Sequence, residues 1–370
     1  MERDYRLDII RSCAIILVVL NHTVELIYPI HEWTADGIPV LVQDFSFKSQ
    51  LFALTVFSVG RVGVPLFLML TGYLLLTRDY SDDADVIKFY RTHLVPLLIT
   101  WEIWILIYQI FIAIYNQVPF DLLLYVERAS FLSHAGLMHT WYIPVLLGLY
   151  VFLPYISRLL HSMNGRTVVF WICLVYFAYF LIPSVNLVQQ WISVDQKYLV
   201  TSQLGFAFSG GEYGFYLICG YLIHRYQRLL SQKTSKKAEW NLILVFFIAL
   251  FITSLCSIWS FEVGEPYRVW YSFLTLPILA VTLFLILDRW RVSMNIKWIV
   301  YRVSKYSFGI YLVHVLILLM YRDWWQEMAI RFSYPLITVA TAIITMLASI
   351  GVVFLLSKIK TVNKWLFLNK

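Results

Sequence analysis

Apolar residues along this chain fall in long unbroken runs. They show neither the alternation of a half-buried strand nor the one-sided stripe of a soluble helix. Ten runs stand out, at about 9–29, 51–76, 93–115, 140–157, 168–185, 205–224, 240–259, 270–287, 306–321 and 335–357. A helix needs about 20 apolar residues to cross the hydrocarbon core of a bilayer. Most of the runs meet that length, and 306–321 is the shortest. The linkers between them leave no room for a second water-soluble domain, and no internal repeat is visible. The pattern predicts an all-α polytopic integral membrane bundle of about ten transmembrane helices. The whole of 1–370 is expected to form one transmembrane domain, with no C-terminal soluble domain. The first run is too long for a cleaved signal peptide, and no Ala-x-Ala-like site follows it.

Composition agrees. Of the 370 residues 60% are hydrophobic and 14% charged, against about 45–50% and about 25% in soluble domains. That excludes a water-soluble globular protein and a disordered chain. Cys13, Cys173, Cys219 and Cys256 all sit inside apolar runs with no Cys-x-x-Cys pair, so they read as small buried hydrophobes.

The charge of +7 follows from topology. With the N-terminus in the cytoplasm, 21 of the 29 lysines and arginines fall on the cytoplasmic side and six on the other. Arg11 and Arg61 lie within spans. This is the positive-inside bias, and it predicts that both termini are cytoplasmic. The basic loops require no nucleic-acid partner.

Ionisable groups inside spans carry the chemistry. Each costs about 2.5–3.5 kcal/mol at a helix centre on insertion scales, so each needs a partner, a cavity or a function. The candidates are Asp8, Arg11, His22, Glu25, Arg61, Glu102, Glu212 and His314. Arg11 and His22 are eleven residues apart, close to three turns, so they share one helix face. Asp8 stands three before Arg11, and Glu25 three after His22. All four lie within roughly 100° of the helix surface, a stripe that belongs against protein or a wet cavity rather than lipid. Arg61, Glu102, His139 and His314 are candidates for the same cavity.

A neutral histidine takes a proton from an attacking hydroxyl near neutral pH. A carboxylate, Glu25 or Glu102, fixes its tautomer, and a buried arginine holds a phosphate or developing oxyanion. A purely packing network is the alternative for all of these groups. Asp79, Asp82, Asp83 and Asp85 lack metal-loop spacing and read as a solvated loop. His31, Glu32 and Asp36 lack a His-Glu-x-x-His arrangement. No metal site is expected.

The residues also resemble a known family. Arg6-Leu7-Asp8-Ile9-Ile10-Arg11 followed by Asn21-His22-Thr23 is similar to the opening of the acyltransferase family 3 membrane proteins, with ten residues between arginine and histidine. Arg61 through Phe67, Thr71-Gly72-Tyr73-Leu74, His139-Thr140-Trp141-Tyr142 and Ser307 through His314 resemble later segments of that family, in order. The resemblance implies a ten-helix acyltransferase moving an acyl group, usually acetyl, from cytoplasmic acyl-CoA to a hydroxyl of a surface carbohydrate or its lipid-linked precursor. It implies His22 as the catalytic histidine and Arg11 as its required partner, in a bacterial cytoplasmic (inner) membrane. Acetyl-CoA is then the donor substrate, with no bound cofactor. The expected partners are acyl-CoA, a carbohydrate or lipid-linked glycan acceptor and the lipid bilayer.

One segment departs from the family. Two arginines three apart commonly precede an Ile-x-Pro at the third helix. Here Lys88 and Arg91 keep the spacing but stand further from Pro96, and His93 occupies one arginine position. Lys88, Arg91 and His93 are the candidates for holding CoA phosphates. A transporter or flippase for a lipid-linked saccharide or small anion is the runner-up, since an ionisable chain on one helix also suits proton coupling. The absence of an internal repeat and of paired interrupted spans counts against it.

Overall fold

The computed structural model describes residues 4–133, 136–192, 211–227, 235–263, 269–290 and 293–368. Over these residues the protein is an α-helical bundle, with one isolated bridge between Trp33 and Pro39. In chain order the helices are α1 Tyr5–Ile27, α2 Val40–Asp44, α3 Phe47–Gly60, α4 Gly63–Leu75, α5 Asp83–Phe89, α6 Val95–Tyr115, α7 Leu122–Ala129, α8 Tyr142–Ser162, α9 Gly165–Tyr176 and α10 Ile182–Trp191. There follow α11 Gly211–Arg225, α12 Lys236–Glu262, α13 Thr275–Arg289, α14 Met294–Met320, α15 Arg322–Arg331, α16 Tyr334–Leu356 and α17 Lys360–Leu366.

Eight helical segments among the described residues are long and apolar enough to cross a membrane: Tyr5–Ile27, Phe47–Leu75, Asp83–Tyr115, Tyr142–Ser162, Gly165–Trp191, Lys236–Glu262, Asn295–Met320 and Tyr334–Leu356. The other two expected spans coincide with α11 and α13, of 15 residues each. At 1.5 Å per residue α13 and the described part of α11 are each about 22 Å long, against the ~30 Å hydrocarbon thickness. Residues 205–210 of the expected sixth span lie outside the described residues.

Two boundaries move. The expected span 306–321 is the distal part of the 27-residue α14, which begins at Met294. Its first turns hold Lys297 and Arg302, whose cationic heads lie over the Tyr5 and Trp298 rings. Long basic side chains extend a membrane helix this way by lifting their charge toward the interface. The expected 93–115 helix begins at Asp83 and passes through a π-helical turn, Tyr90–Leu94, just before Pro96. A second π turn, Phe177–Leu181, precedes Pro183. Proline lacks an N–H and its ring crowds the carbonyl four residues back. A widened turn accommodates both effects and lets each helix continue.

α1 is the central helix. It packs against α3, α4, α13, α14 and α16, and Ile10, Ala14, Ile15, Val19 and Val24 are buried along it. The two ends of the bundle take their names from it, proximal at Tyr5 and distal at Ile27. Beside it α4 and α11 cross so closely that a Cβ on Gly72 would sit 1.8 Å from the Leu217 carbonyl oxygen, and one on Gly220 1.9 Å from that of Met69. Small residues permit such backbone approach between membrane helices. At the proximal end Arg6 pairs with Asp288 at 3.3 Å, and Ser157 donates to the Leu76 carbonyl at 2.9 Å. At the distal end Gln326 donates to the Leu26 carbonyl at 3.0 Å, so α15 caps α1.

Candidate active site

The helical pitch places Glu25 one turn beyond His22, and the structure turns that proximity into a bond. His22 Nδ1 lies 2.7 Å from Glu25 Oε2. The second carboxylate oxygen meets His31 Nε2 at 3.3 Å. Glu25 is nearly sealed, with 6% of its side chain exposed. A buried carboxylate is tolerated when donors satisfy it, so His22 Nδ1 carries the proton and donates to Glu25. In the neutral ring Nε2 then carries the lone pair, the form of imidazole that accepts a proton.

Two further histidines close around the ring of His22. Its centroid is 5.3 Å from that of His314 and 6.2 Å from that of His139, and those two are 5.2 Å apart. Their tautomers follow from their partners. His314 Nδ1 faces the carbonyls of Ile310 at 3.0 Å and Tyr311 at 2.7 Å. Carbonyls only accept, so Nδ1 bears the hydrogen. The Tyr108 hydroxyl donates to the Leu312 carbonyl at 2.9 Å and therefore accepts from His139 Nε2 at 3.1 Å. The Tyr311 hydroxyl donates to the His139 carbonyl. Among the described residues, His314 Nε2 and His139 Nδ1 are buried with no hydrogen-bond partner. Each of these two nitrogens carries a lone pair, which accepts a hydrogen bond from a hydroxyl. Among the described residues no three His, Cys, Asp or Glu groups are arranged to hold a metal ion.

Arg11 and Asp8 belong to the other end of α1. Eleven residues of rise separate Arg11 from His22, about 16 Å. Ser304 of α14 donates to Asp8 Oδ1 at 2.6 Å and accepts from Arg11 Nη1 at 3.3 Å, while Arg11 Nη1 lies 3.9 Å from Asp8 Oδ1. Ser12 adds a bond to the Val300 carbonyl at 3.0 Å. Asp8 is buried, whereas 32% of the Arg11 side chain is exposed. One face of α1 thus presents a cation toward the proximal end and a base toward the distal end.

The other candidates are dispersed. Lys88 and Arg91 are exposed at the proximal end, with His93 in the π turn. His93 Nε2 accepts from Arg78 Nη1 at 3.2 Å. Arg61 is buried at the junction of α3 and α4, donates to the Val269 carbonyl, and lies 3.9 and 4.0 Å from the Phe57 and Trp270 ring centroids. Glu102 is half-buried on α6. At 100° per residue it stands about 120° around that helix from Tyr108, and among the described residues it makes no hydrogen bond or ion pair with the histidine cluster. The structure therefore brings together His22, Glu25, His139 and His314. Sequence reasoning did not select Tyr108, Tyr311, His31, Ser304 or Arg78 for the site. Tyr311 lies within the Ser307–His314 segment, but its role depends on contact with a residue 172 positions away.

The fold and site together define a polytopic helical membrane protein with a histidine–carboxylate pair held between its helices. The family follows from comparison: the acyltransferase family 3 model, an acyltransferase domain, matches residues 4–357, and the chain belongs to that family. It is a membrane acyltransferase. No curated protein and no solved structure matches the chain.

Proposed function

We propose that this protein is an O-acyltransferase of the bacterial cytoplasmic membrane. In this reading it moves an acyl group, acetyl above all, from cytoplasmic acyl-CoA to a hydroxyl of a cell-surface polysaccharide or its lipid-linked precursor. The chain acts as a single transmembrane domain with both termini in the cytoplasm, so the proximal end faces the cytoplasm. The observation that carries the reading is the His22–Glu25 pair, which leaves His22 Nε2 as a base beside two hydroxyl-accepting imidazoles.

Acyl-CoA enters at the proximal end. Its phosphates meet Lys88, Arg91, His93 and the neighbouring Arg78, and its arm passes Arg11 toward His22. His22 Nε2 takes the proton of the acceptor hydroxyl as the oxygen attacks the thioester carbonyl. Glu25 stabilises the imidazolium that forms. The tetrahedral intermediate collapses, the C–S bond breaks, and the CoA sulfur takes the proton back from His22. Products are the ester and free CoA thiol.

The test is release of CoA thiol from acetyl-CoA by purified protein, with and without a lipid-linked glycan, for the native chain, His22→Ala and Arg11→Ala. Acceptor-stimulated release that both substitutions abolish is the expected outcome. Full activity in a correctly inserted His22→Ala protein overturns the proposal. Glycan binding without acyl transfer from the native protein favours a transporter instead.

A further inference from the structure

A cavity of about 370 Å³ opens beside the histidine cluster, lined by Trp101, Arg128, Phe131, Ser133, Thr140 and Trp141 among others. Small-molecule sites begin at about this size. Two residues of its lining carry buried hydrogen-bond donors with no acceptor among the described residues: the indole N–H of Trp101 and the Nε–H of Arg128. Trp101 is 2% exposed. A buried donor without a partner costs about 1–3 kcal/mol, so two on one cavity mark a place for acceptor atoms from outside.

Charge narrows the choice. Arg128 Nη1 donates to Gln109 Oε1, and Asp121 is near enough to influence the guanidinium. Burial nonetheless dominates and lowers the Arg128 pKa, so the cation lacks full compensation. The backbone makes room for it at Gly136, whose φ is +86°, and a Cβ there would lie 2.6 Å from Arg128 Nη2. The rest of the lining suits a sugar ring: the indoles of Trp101 and Trp141 for its apolar face, and the hydroxyls of Ser133 and Thr140 for its own hydroxyls. The cavity also touches the catalytic cluster through consecutive residues. His139 stands against His22 and His314, while Thr140 and Trp141 form the cavity wall.

We infer that this cavity binds an acidic sugar unit of the acyl acceptor, with a phosphate or carboxylate held by Arg128 and the Trp101 indole and a hydroxyl presented to the histidine cluster. The inference rests on the acyltransferase reading and names the acceptor class within it. Planar guanidinium and oxyanion make short, strong charge-assisted bonds. Trp101 brings a second unsatisfied donor to the same lining.

Binding tests this without turnover, so the outcome is separate from that of the CoA-release assay. Full-length protein in detergent is dialysed against radiolabelled glucose 1-phosphate, with glucose, glucuronate and inorganic phosphate as competitors. The same protein is reconstituted in phosphatidylglycerol and in phosphatidylcholine discs. Glucose 1-phosphate binds and glucuronate displaces it, glucose does not, and Arg128→Gln weakens binding by about ten-fold or more. Trp101→Phe, which keeps the packing, weakens it several-fold. Three results overturn the inference: no binding of any acidic probe, equal binding by the Arg128→Gln protein, or displacement by phosphatidylglycerol discs with no response to competing acidic sugar. The last would make the cavity a lipid-headgroup site. In an active preparation Arg128→Gln also raises the KM for an acidic acceptor and leaves the KM for acyl-CoA unchanged.

Discussion

Glu25→Gln isolates the electrostatic part of the catalytic proposal, because it keeps the shape of the side chain and removes its charge. In the native protein the carboxylate accepts from His22 Nδ1 at 2.7 Å, with its side chain 6% exposed. A hydrogen bond to a charged group contributes about 1.5–3 kcal/mol. At 1.36 kcal/mol per decade, losing that stabilisation of the imidazolium slows acyl transfer by roughly ten- to 150-fold. The amide adds a second effect. If its N–H₂ faces His22, Nδ1 becomes the acceptor and the proton moves to Nε2, which abolishes the base. An analogous tautomer error costs a serine protease about 10⁴ in kcat. The expected loss in kcat is therefore at least ten-fold and at most about 10⁴-fold, with the KM for acyl-CoA unchanged, since the proposal puts the donor's phosphates at the other end of α1. The assay is acceptor-dependent release of CoA thiol, with size-exclusion behaviour as the folding control. A folded Glu25→Gln protein whose kcat is within two-fold of native refutes the role of Glu25. A rise in KM with unchanged kcat refutes it equally, because it would put Glu25 in binding rather than in proton transfer.

Tyr108→Phe strips the acceptor from His139 Nε2 and the donor from the Leu312 carbonyl. Each group left unpaired costs about 1–3 kcal/mol, so both the thermal midpoint in detergent and kcat should fall. Ser304→Ala removes the hydroxyl linking Asp8 and Arg11 across α1 and α14. It should lower the thermal midpoint and weaken acyl-CoA binding, measured by equilibrium dialysis, without altering acceptor binding. Gly72→Ala places a Cβ 1.8 Å from the Leu217 carbonyl oxygen, where backbone must move. It should abolish recovery of monodisperse protein, whereas Gly148→Ala, with open space around it, should be recovered normally.

The first helix was the most legible part of the sequence because its information is local. Helical pitch alone puts Asp8, Arg11, His22 and Glu25 on one stripe, and the expense of charge in a membrane says that the stripe turns inward. Contacts at three or four residues, such as Asp8 with Arg11 and His22 with Glu25, follow from that pitch and appear in the structure. The remainder of the site depends on quantities with no local signal. His139 and His314 are 117 and 292 positions from His22, and their meeting is a property of how the turn before α8 and the distal part of α14 come to lie beside α1. Neither can be assigned a tautomer until the carbonyls of Ile310 and Tyr311 and the Tyr108 hydroxyl are in place.

The basic segment shows a different limit. Counting at 3.6 residues per turn fails across the π turn at Tyr90–Leu94, which resets the face on which everything before Pro96 lies. The register difference between Lys88–Arg91 and the usual family spacing therefore does not translate into a rotation by ordinary helical arithmetic. The same reasoning explains why Arg128 drew no notice. On the chain it is one of six cations in the expected outer loops, and nothing local separates it from Lys48 or Arg322. What separates it is an Nε–H with no acceptor among the described residues, on a side chain that lines a cavity. An unsatisfied donor is a tertiary fact, because it is defined by what fails to pack against the group. Sequence locates charges that are costly wherever they go, while structure locates those whose cost a ligand would remove.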